Sequence, residues 1–214
     1  MTETNGIRVM LVDDHAVVRM GFRLLLEGQP DIKVVAEAES GEQACARYPQ
    51  VRPDVVVMDL SMPGMGGLEA MTRLRARDEH ARILVLTAHD DTIHPRRVLD
   101  AGALGYLSKR SAPAELIQAV RDVMRGKVYV EPGIAQQMVA QRGGAQNPVD
   151  TLSLRELEVF LLLARGVSVA EIANVLHLSP RTVGTHLYHI KQKLGAANQA
   201  EMALIAIRAG LLEP

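Results

Sequence analysis

Short runs of apolar residues alternate with helical patterns over the first 125 residues of the chain. The longer runs are apolar throughout, which is typical of parallel strands covered on both faces; the five runs are 9–12, 34–36, 55–58, 83–86 and 105–107. The intervening segments are long enough for crossover helices, the clearest having helical spacing at Leu116, Ala119, Val120, Val123 and Met124. The pattern predicts an α/β domain with a doubly wound, five-stranded parallel sheet over residues 1–125.

The remainder of the chain has a different pattern. Residues 126–148 contain a glycine pair, amides and prolines with little apolar periodicity, which predicts a flexible linker with a short helix over 134–141. From residue 149 to 214 only helices are predicted, because apolar residues recur three and four positions apart in three separate stripes. The sequence therefore predicts two domains, the second small and all-α.

Composition and charge exclude several classes of protein. The 214 residues include 24 basic and 25 acidic ones, so overall charge does not indicate a nucleic-acid binder. The single cysteine, Cys45, excludes a disulfide framework and suits a reducing cytoplasm. No apolar run approaches about 18 residues, and the first residues lack the features of a signal peptide. We expect a cytoplasmic protein that does not enter a membrane.

Polar and charged residues stand at the ends of four predicted strands. Asp13 and Asp14 follow the first, Asp59 the third, Thr87 the fourth and Lys109 the fifth. Ligands of open α/β sheets bind beyond the carboxyl ends of the strands, where these residues stand. Carboxylates that converge there repel one another unless a cation neutralises them, and oxygen ligands favour Mg²⁺. For each residue taken alone, a loop, a helix cap or solvated surface is the favoured interpretation. Together they predict a site where an aspartate accepts a phosphoryl group.

Four sequence blocks resemble the signature blocks of bacterial two-component receiver domains. They are LVDDH at 11–15, MDLSMPG at 58–64, LTA at 86–88 and GYLSK at 105–109. The resemblance implies that Asp59 is the phosphoacceptor and that Asp14 and Asp59 bind Mg²⁺ directly, with Mn²⁺ as a substitute. It also implies that Ser61 binds the ion through its backbone carbonyl and Asp13 through a water molecule.

The same resemblance assigns a switch to this domain. Thr87 and Lys109 would bind the phosphoryl oxygens, and Tyr106 would change rotamer as Thr87 moves. Ala88 fits the small residue that leaves room for the phosphoryl group. By contrast, the glycines between 64 and 67 lack the spacing of a phosphate-binding loop and indicate a turn. His15 lacks partners at metal-ligand spacing and is interpreted as a surface or cap residue.

A helix-turn-helix is predicted in the second domain. Residues 168–176 form one helical pattern, His177 and Leu178 a short turn, and Ser179 followed by Pro180 is a good start for the next helix. The span 180–194 contains basic residues and no acid, which favours a DNA-reading helix. The periodicity alone does not reject an ordinary helical hairpin with a solvated basic face. Residues 150–214 carry six basic and six acidic residues, so the support for DNA binding is local rather than overall charge.

Further motifs resemble a LuxR-type DNA-binding domain: LSLRELEV at 152–159, AEIA at 170–173, and residues 178–179, 182–183, 186 and 193–194. The resemblance places base-edge contacts at Thr185 and Tyr188. The remaining expected DNA-contacting residues are Arg181, Thr182, His189, Lys191 and Lys193. Gly184 stands where this family often has lysine, so the operator cannot be transferred from relatives.

The two halves together resemble a NarL/FixJ-type response regulator, most closely its GacA/UvrY-like branch. This resemblance implies a sensor histidine kinase, double-stranded DNA and RNA polymerase as partners, with a homodimer as the active form. No enzymatic turnover beyond phosphorylation and dephosphorylation of the chain itself is expected.

Three competing functions are compatible with parts of the sequence. The first is an aspartyl-phosphate enzyme, but the general acid that haloacid-dehalogenase-like enzymes carry would fall at position 61, which is Ser. The second is a receiver that acts through proteins alone, which the helix-turn-helix disfavours. The third is a LuxR-type regulator that senses a small ligand, which would need an apolar pocket in place of the acidic residues.

Overall fold

The chain divides into two compact units. The structure is a computed structural model that describes residues 6–87, 95–140, 148–176, 178–209 and 211–212. The described residues up to Ala135 belong to the first unit, and those from Gln136 onward to the second. Each unit has its own cluster of buried apolar side chains.

The first unit is built on a parallel sheet. Its strands are β1 (Ile7–Val12), β2 (Ile32–Ala38), β3 (Val55–Asp59), β4 (Ile83–Thr87), β5 (Gly105–Ser108) and β6 (Tyr129–Val130), in the order β2-β1-β3-β4-β5-β6. Every pair of neighbours is parallel. The predicted α/β class and the five predicted strands are confirmed. The predicted count of five strands is wrong, because the described sheet has a sixth strand, β6. It was missed because β6 has only two residues, and a strand this short leaves no periodic pattern in the sequence.

Helices cover both faces of this sheet. They are α1 (Ala16–Glu27), α2 (Gly41–Val51), α3 (Gly67–Arg77), α4 (Pro95–Asp100) and α5 (Pro113–Met124). Val9 and Leu11 of β1 pack in one cluster with Leu26 of α1 and Leu116 of α5. The intervening Met10 of β1 is also fully buried. Burial on both faces explains why the strands have continuous rather than alternating apolar sequences.

Part of the predicted linker has regular structure. β6 pairs with β5 through Gly105 opposite Tyr129 and Tyr106 opposite Val130, so the sheet extends into the segment 126–148. Helix α6 (Pro132–Ala140) follows at once, close to the helix predicted over 134–141. The glycine pair at 143–144 and Ala88 lie outside the described residues.

The second unit is all-helical, as predicted. A 3₁₀ turn (Pro148–Thr151) precedes α7 (Leu154–Ala164), α8 (Val169–Val175), α9 (Pro180–Leu194) and α10 (Gln199–Arg208). Each α-helix starts at a side chain that accepts a main-chain N–H of its own first turn; these caps are Ser153, Ser168, Ser179 and Asn198. Phe160 of α7 is fully buried in the core that the four helices share. The caps and this core fix α8 and α9 as a helix-turn-helix.

Candidate functional site

Three aspartates meet at the carboxyl ends of β1 and β3. Asp13 and Asp14 follow β1, and Asp59 is the last residue of β3. Ligand atoms from these residues and His15 all lie within 4.8 Å of one another. Asp59 is only 1% exposed and Asp13 only 3%. Neighbouring parallel strands end at the same edge, so this clustering follows directly from the strand order.

Lys109 partly neutralises this cluster. Its Nζ lies 2.7 Å from Asp59 Oδ2 and 2.8 Å from Asp13 Oδ2. Burial disfavours the charged lysine, but the charges of Asp59 and Asp13 outweigh it and raise the pKa of Lys109. Burial raises the pKa of Asp59 to about 6, although the nearby Lys109 acts in the opposite direction. One lysine therefore leaves a buried excess of negative charge.

The donor set suits a hard divalent cation. Asp14 Oδ1 is a buried atom that receives no well-aligned hydrogen bond from the described residues, although His15 Nδ1 lies 2.9 Å away. Carboxylate oxygens are the ligands that Mg²⁺ prefers, and a buried, under-satisfied oxygen is what such an ion would occupy. The acidic cluster is therefore compatible with Mg²⁺. His15 is largely exposed at the N-cap of α1, as interpreted from sequence, but it also joins the cluster.

The predicted switch residues lie beside this cluster. Thr87 is the last residue of β4, is 5% exposed, and accepts the main-chain N–H of Lys109 at 2.8 Å. Tyr106 lies on the neighbouring strand β5 and is 2% exposed. Ser61 donates its main-chain N–H to Asp59 Oδ1 at 3.2 Å. Ser61, Thr87 and Lys109 are thus joined to the cluster or to one another by hydrogen bonds, and Tyr106 lies on the strand next to that of Thr87.

The loop after β3 leaves no space for a side chain at Gly67. A Cβ there would lie 1.8 Å from the carbonyl oxygen of Asp59, which is far inside contact distance. Gly64, three positions earlier, has a φ of 71°, in the left-handed region that favours glycine. Gly64 serves the turn that the sequence pattern indicated, and Gly67 allows a close approach to Asp59 that the sequence did not predict.

Sequence reasoning missed Glu131 at this site. Its carboxylate contacts Ser108 and Ser111, which lie on either side of Lys109 in the turn after β5. Glu131 follows the unpredicted β6, so no sequence signal placed it near the acidic cluster.

The second unit presents the outer face of α9. Arg181, Thr182, Thr185 and Tyr188 line this face, and Tyr188 retains 61% of its accessible surface. Thr185 Oγ1 donates to the carbonyl of Arg181 at 3.1 Å, which holds its methyl and hydroxyl in one orientation. Val183 and Ile190 are fully buried on the opposite face. The helix is therefore amphipathic, with the residues predicted to read bases on its free side.

The basic residues near the end of α9 have partners within the unit. Lys193 Nζ lies 2.5 Å from Glu156 Oε2, and Lys191 Nζ donates to the carbonyl of Ala197 at 2.9 Å. His189 Nδ1 lies 3.8 Å from Glu156 Oε1, and its ring packs edge-on against Tyr188. The prediction that Lys193 contacts DNA stays a prediction, but in this structure its ammonium is paired with a carboxylate.

Two family models match the chain. The response regulator receiver domain matches residues 9–121, and the luxR family of bacterial regulatory proteins matches residues 150–206. The first match covers more than half of the chain. The chain is a response regulator. Its regulatory unit is a receiver domain and its helical unit is a LuxR-type DNA-binding domain, so the predicted family and class of function are confirmed.

Individual relatives agree with this assignment. The response regulator is 43% identical to the response regulator UvrY of Escherichia coli over 208 residues, covering 96% of this chain and 95% of that protein. It is 38% identical to the response regulator GacA of Pseudomonas aeruginosa, covering 97% and 98%. The predicted likeness to the GacA/UvrY branch is confirmed.

A solved structure of a relative includes DNA. RcsB from Salmonella enterica serovar Typhimurium, bound to the promoter P1flhDC in the presence of the phosphomimetic BeF3−, is 28% identical to this response regulator. The similarity covers 94% of this chain and 98% of that one, with a TM-score of 0.65.

Among the described residues of the response regulator, no helix is both long and apolar enough to span a membrane.

Proposed function

We propose that a sensor histidine kinase phosphorylates this response regulator on Asp59 and that the phosphoryl group controls DNA binding through α9. The position of Asp59 carries this proposal. Its carboxylate ends β3, is 1% exposed, and lies 2.7 Å from the ammonium of Lys109. An oxygen of Asp59 would attack the phosphorus of phosphohistidine, forming a P–O bond as the P–N bond to the kinase breaks.

The residues around Asp59 have separate tasks in this transfer. Asp14, Asp59 and the carbonyl of Ser61 would hold Mg²⁺ directly, and Asp13 through water; Mn²⁺ would serve in its place. The bound ion supplies a positive charge that neutralises phosphoryl oxygens in the transition state. Lys109 would contact another phosphoryl oxygen, since its Nζ already faces Asp59.

Thr87 and Tyr106 would pass the change onward. The hydroxyl of Thr87 would bind a phosphoryl oxygen, and the rotamer of Tyr106 would follow the space that Thr87 vacates. The two residues are both buried, and Tyr106 lies opposite Val85, two positions before Thr87 on the neighbouring strand, so their side chains are on the same face of the sheet. The switched domain would form a homodimer, the form in which we expect α9 to act.

The exposed face of α9 supports binding to double-stranded DNA. Thr185 and Tyr188 would face base edges, while Arg181, Thr182 and the lysines would contact phosphates. His189 would lie at the edge of this surface. We further propose the boundaries 1–125 for the receiver domain, 126–148 for the connecting segment and 149–214 for the DNA-binding domain. The protein would act in the cytoplasm, and RNA polymerase would be a partner once the response regulator has bound DNA.

Phosphorylation of variants at the two ends of β3 tests the proposal. Asp59→Asn removes the nucleophile, whereas Asp54→Asn alters an aspartate at the opposite end, where its carboxylate accepts the main-chain N–H of Arg8. With acetyl phosphate and Mg²⁺, we expect a hydroxylamine-sensitive phosphate on the wild type and on Asp54→Asn, and none on Asp59→Asn or with a chelator. Phosphate on Asp59→Asn at the wild-type rate would refute the assignment.

A DNA-binding experiment tests the second half. Duplexes selected from random sequence by the phosphorylated wild type should bind Asp59→Asn more weakly under the same phosphorylating conditions. Equal affinities for the two proteins would show that phosphorylation of Asp59 does not control DNA binding.

A further inference from the structure

The carboxylate of Glu131 links both ends of the turn that carries Lys109. Glu131 Oε2 accepts the main-chain N–H of Ser108 at 2.9 Å and the hydroxyl of Ser111 at 2.6 Å. Within the turn, Ser111 donates its N–H to the carbonyl of Ser108 at 3.0 Å. A single oxygen atom therefore ties down the residues before and after Lys109.

This restraint matters because lysine is a poor positioning group by itself. Its ammonium is a point charge at the end of a flexible four-carbon chain, so the place of Nζ depends on how firmly its main chain is held. Here the main-chain N–H of Lys109 is anchored to β4, through the carbonyl of Thr87 at 2.8 Å. Glu131 adds a second restraint on the turn, through its contacts with Ser108 and Ser111.

The main chain of Glu131 connects the same place to two further elements. Its N–H donates to the carbonyl of Tyr106 at 3.2 Å, which continues the pairing of β6 with β5. Its carbonyl accepts the N–H of Ala135 at 2.9 Å, in the first turn of α6. Glu131 thus contacts the lysine turn, the strand of the switch tyrosine and the start of the next helix.

We infer that Glu131 is a positioning residue for Lys109 and that it couples movement of the lysine turn to the first turn of α6. When Lys109 shifts toward a phosphoryl group on Asp59, Ser108 and Ser111 shift with it and carry the carboxylate of Glu131 along. The inference rests on the proposed roles of Asp59 and Lys109.

Three variants separate this role from general stability. Glu131→Ala removes both hydrogen bonds, Glu131→Gln keeps an acceptor oxygen, and Glu115→Ala is the control, because Glu115 accepts the N–H of Ala112 at the cap of its own helix. With acetyl phosphate and Mg²⁺ we expect the maximal phosphorylation rate of Glu131→Ala to fall about tenfold, less than the roughly 100-fold cost of a 1 Å misplacement, because the main-chain bond of Lys109 to Thr87 remains. The acetyl phosphate concentration for half-maximal rate should change little. Glu131→Gln should recover most of the rate, and Glu115→Ala should match the wild type.

The coupling has its own readout. With saturating BeF3− and Mg²⁺, wild type and Glu115→Ala should show altered hydrogen exchange both in residues 108–111 and in the first turn of α6, while Glu131→Ala should show it in residues 108–111 but not in the first turn of α6. If Glu131→Ala does not fold, Ser111→Ala removes one of the two donors, and a rate about threefold lower is expected. Wild-type rates in Glu131→Ala, or in Ser111→Ala where that variant replaces it, would overturn the positioning role. If the first turn of α6 in Glu131→Ala responds to BeF3− as it does in the wild type, the coupling is overturned. If the wild type itself is not phosphorylated, the proposed function fails instead.

Discussion

Neutralising Asp59 should stabilise the metal-free receiver domain, and the gain should depend on pH. Folding raises the pKa of Asp59 from its ordinary value of 3.8 to about 6, mainly through burial. Between these two values the folded state holds a proton that the unfolded state has released, so stability falls as pH rises through this window. A change of this size corresponds to about 3 kcal/mol of unfolding free energy, fully lost above about pH 7.

The comparison of Asp59→Asn with wild type isolates this contribution, because asparagine is neutral at every pH. We expect the variant to exceed wild type in unfolding free energy by less than about 1 kcal/mol at pH 4 and by about 3 kcal/mol at pH 7.5. The chain has no tryptophan and two units, so urea unfolding is best followed by hydrogen exchange of peptides from β3 and β4. The samples contain a chelator, and Asp54→Asn is the matched control.

Magnesium provides the complementary measurement. A ligand present at 100 times its dissociation constant stabilises the folded state by about 2.7 kcal/mol. Saturating Mg²⁺ at pH 7.5 should therefore nearly close the gap between the two proteins, because the variant lacks one anionic ligand. A gap that is the same at pH 4 and pH 7.5 would refute the reasoning, since it would mean that Lys109 keeps the pKa of Asp59 low despite burial.

Three further predictions concern the DNA-binding domain. Gly184→Ala should raise its unfolding free energy by about 1 kcal/mol, because a Cβ there meets nothing within 4 Å inside α9; no rise in its melting temperature would contradict this. Lys191→Ala and Lys193→Ala should each lower the slope of log affinity against log salt by about 0.9, and an unchanged slope for Lys193→Ala would show that its pair with Glu156 persists on DNA. The fragment 148–214 should bind DNA more tightly than the unphosphorylated full chain when both are titrated by anisotropy; equal affinity would exclude inhibition by the receiver domain.

The sequence predicted those parts of the fold that depend on continuous patterns. β1, β3 and β4 are recognisable because both of their faces are covered, which makes nearly every position apolar. The acidic cluster follows from the same pattern, since parallel strands deliver their last residues to one edge and Asp13, Asp59 and Lys109 stand there.

The parts that were missed depend on contacts between distant residues. β6 is two residues long and is defined by its pairing with β5, in which Tyr129 lies opposite Gly105. A Cβ on Gly105 would clash with the side chain of Leu84, so packing against another strand also decides which residue stands there. The pair of Lys193 with Glu156 joins residues 37 positions apart on different helices. Neither contact has a local signature, because each depends on the packing of the whole unit.

The order of the strands has a consequence for synthesis of the protein on the ribosome. Asp59 and Lys109 are 50 residues apart in the chain, so at about 5–20 residues per second a growing polypeptide carries the aspartate for about 3–10 seconds before the lysine is made. During that interval β5 is also incomplete. Asp59 therefore lacks both the ammonium of Lys109 and the strand that carries Tyr106. If Asp59 is the phosphoacceptor that we propose, an unfinished chain would be a poor phosphate acceptor, and phosphorylation would be confined to chains whose sheet has been completed.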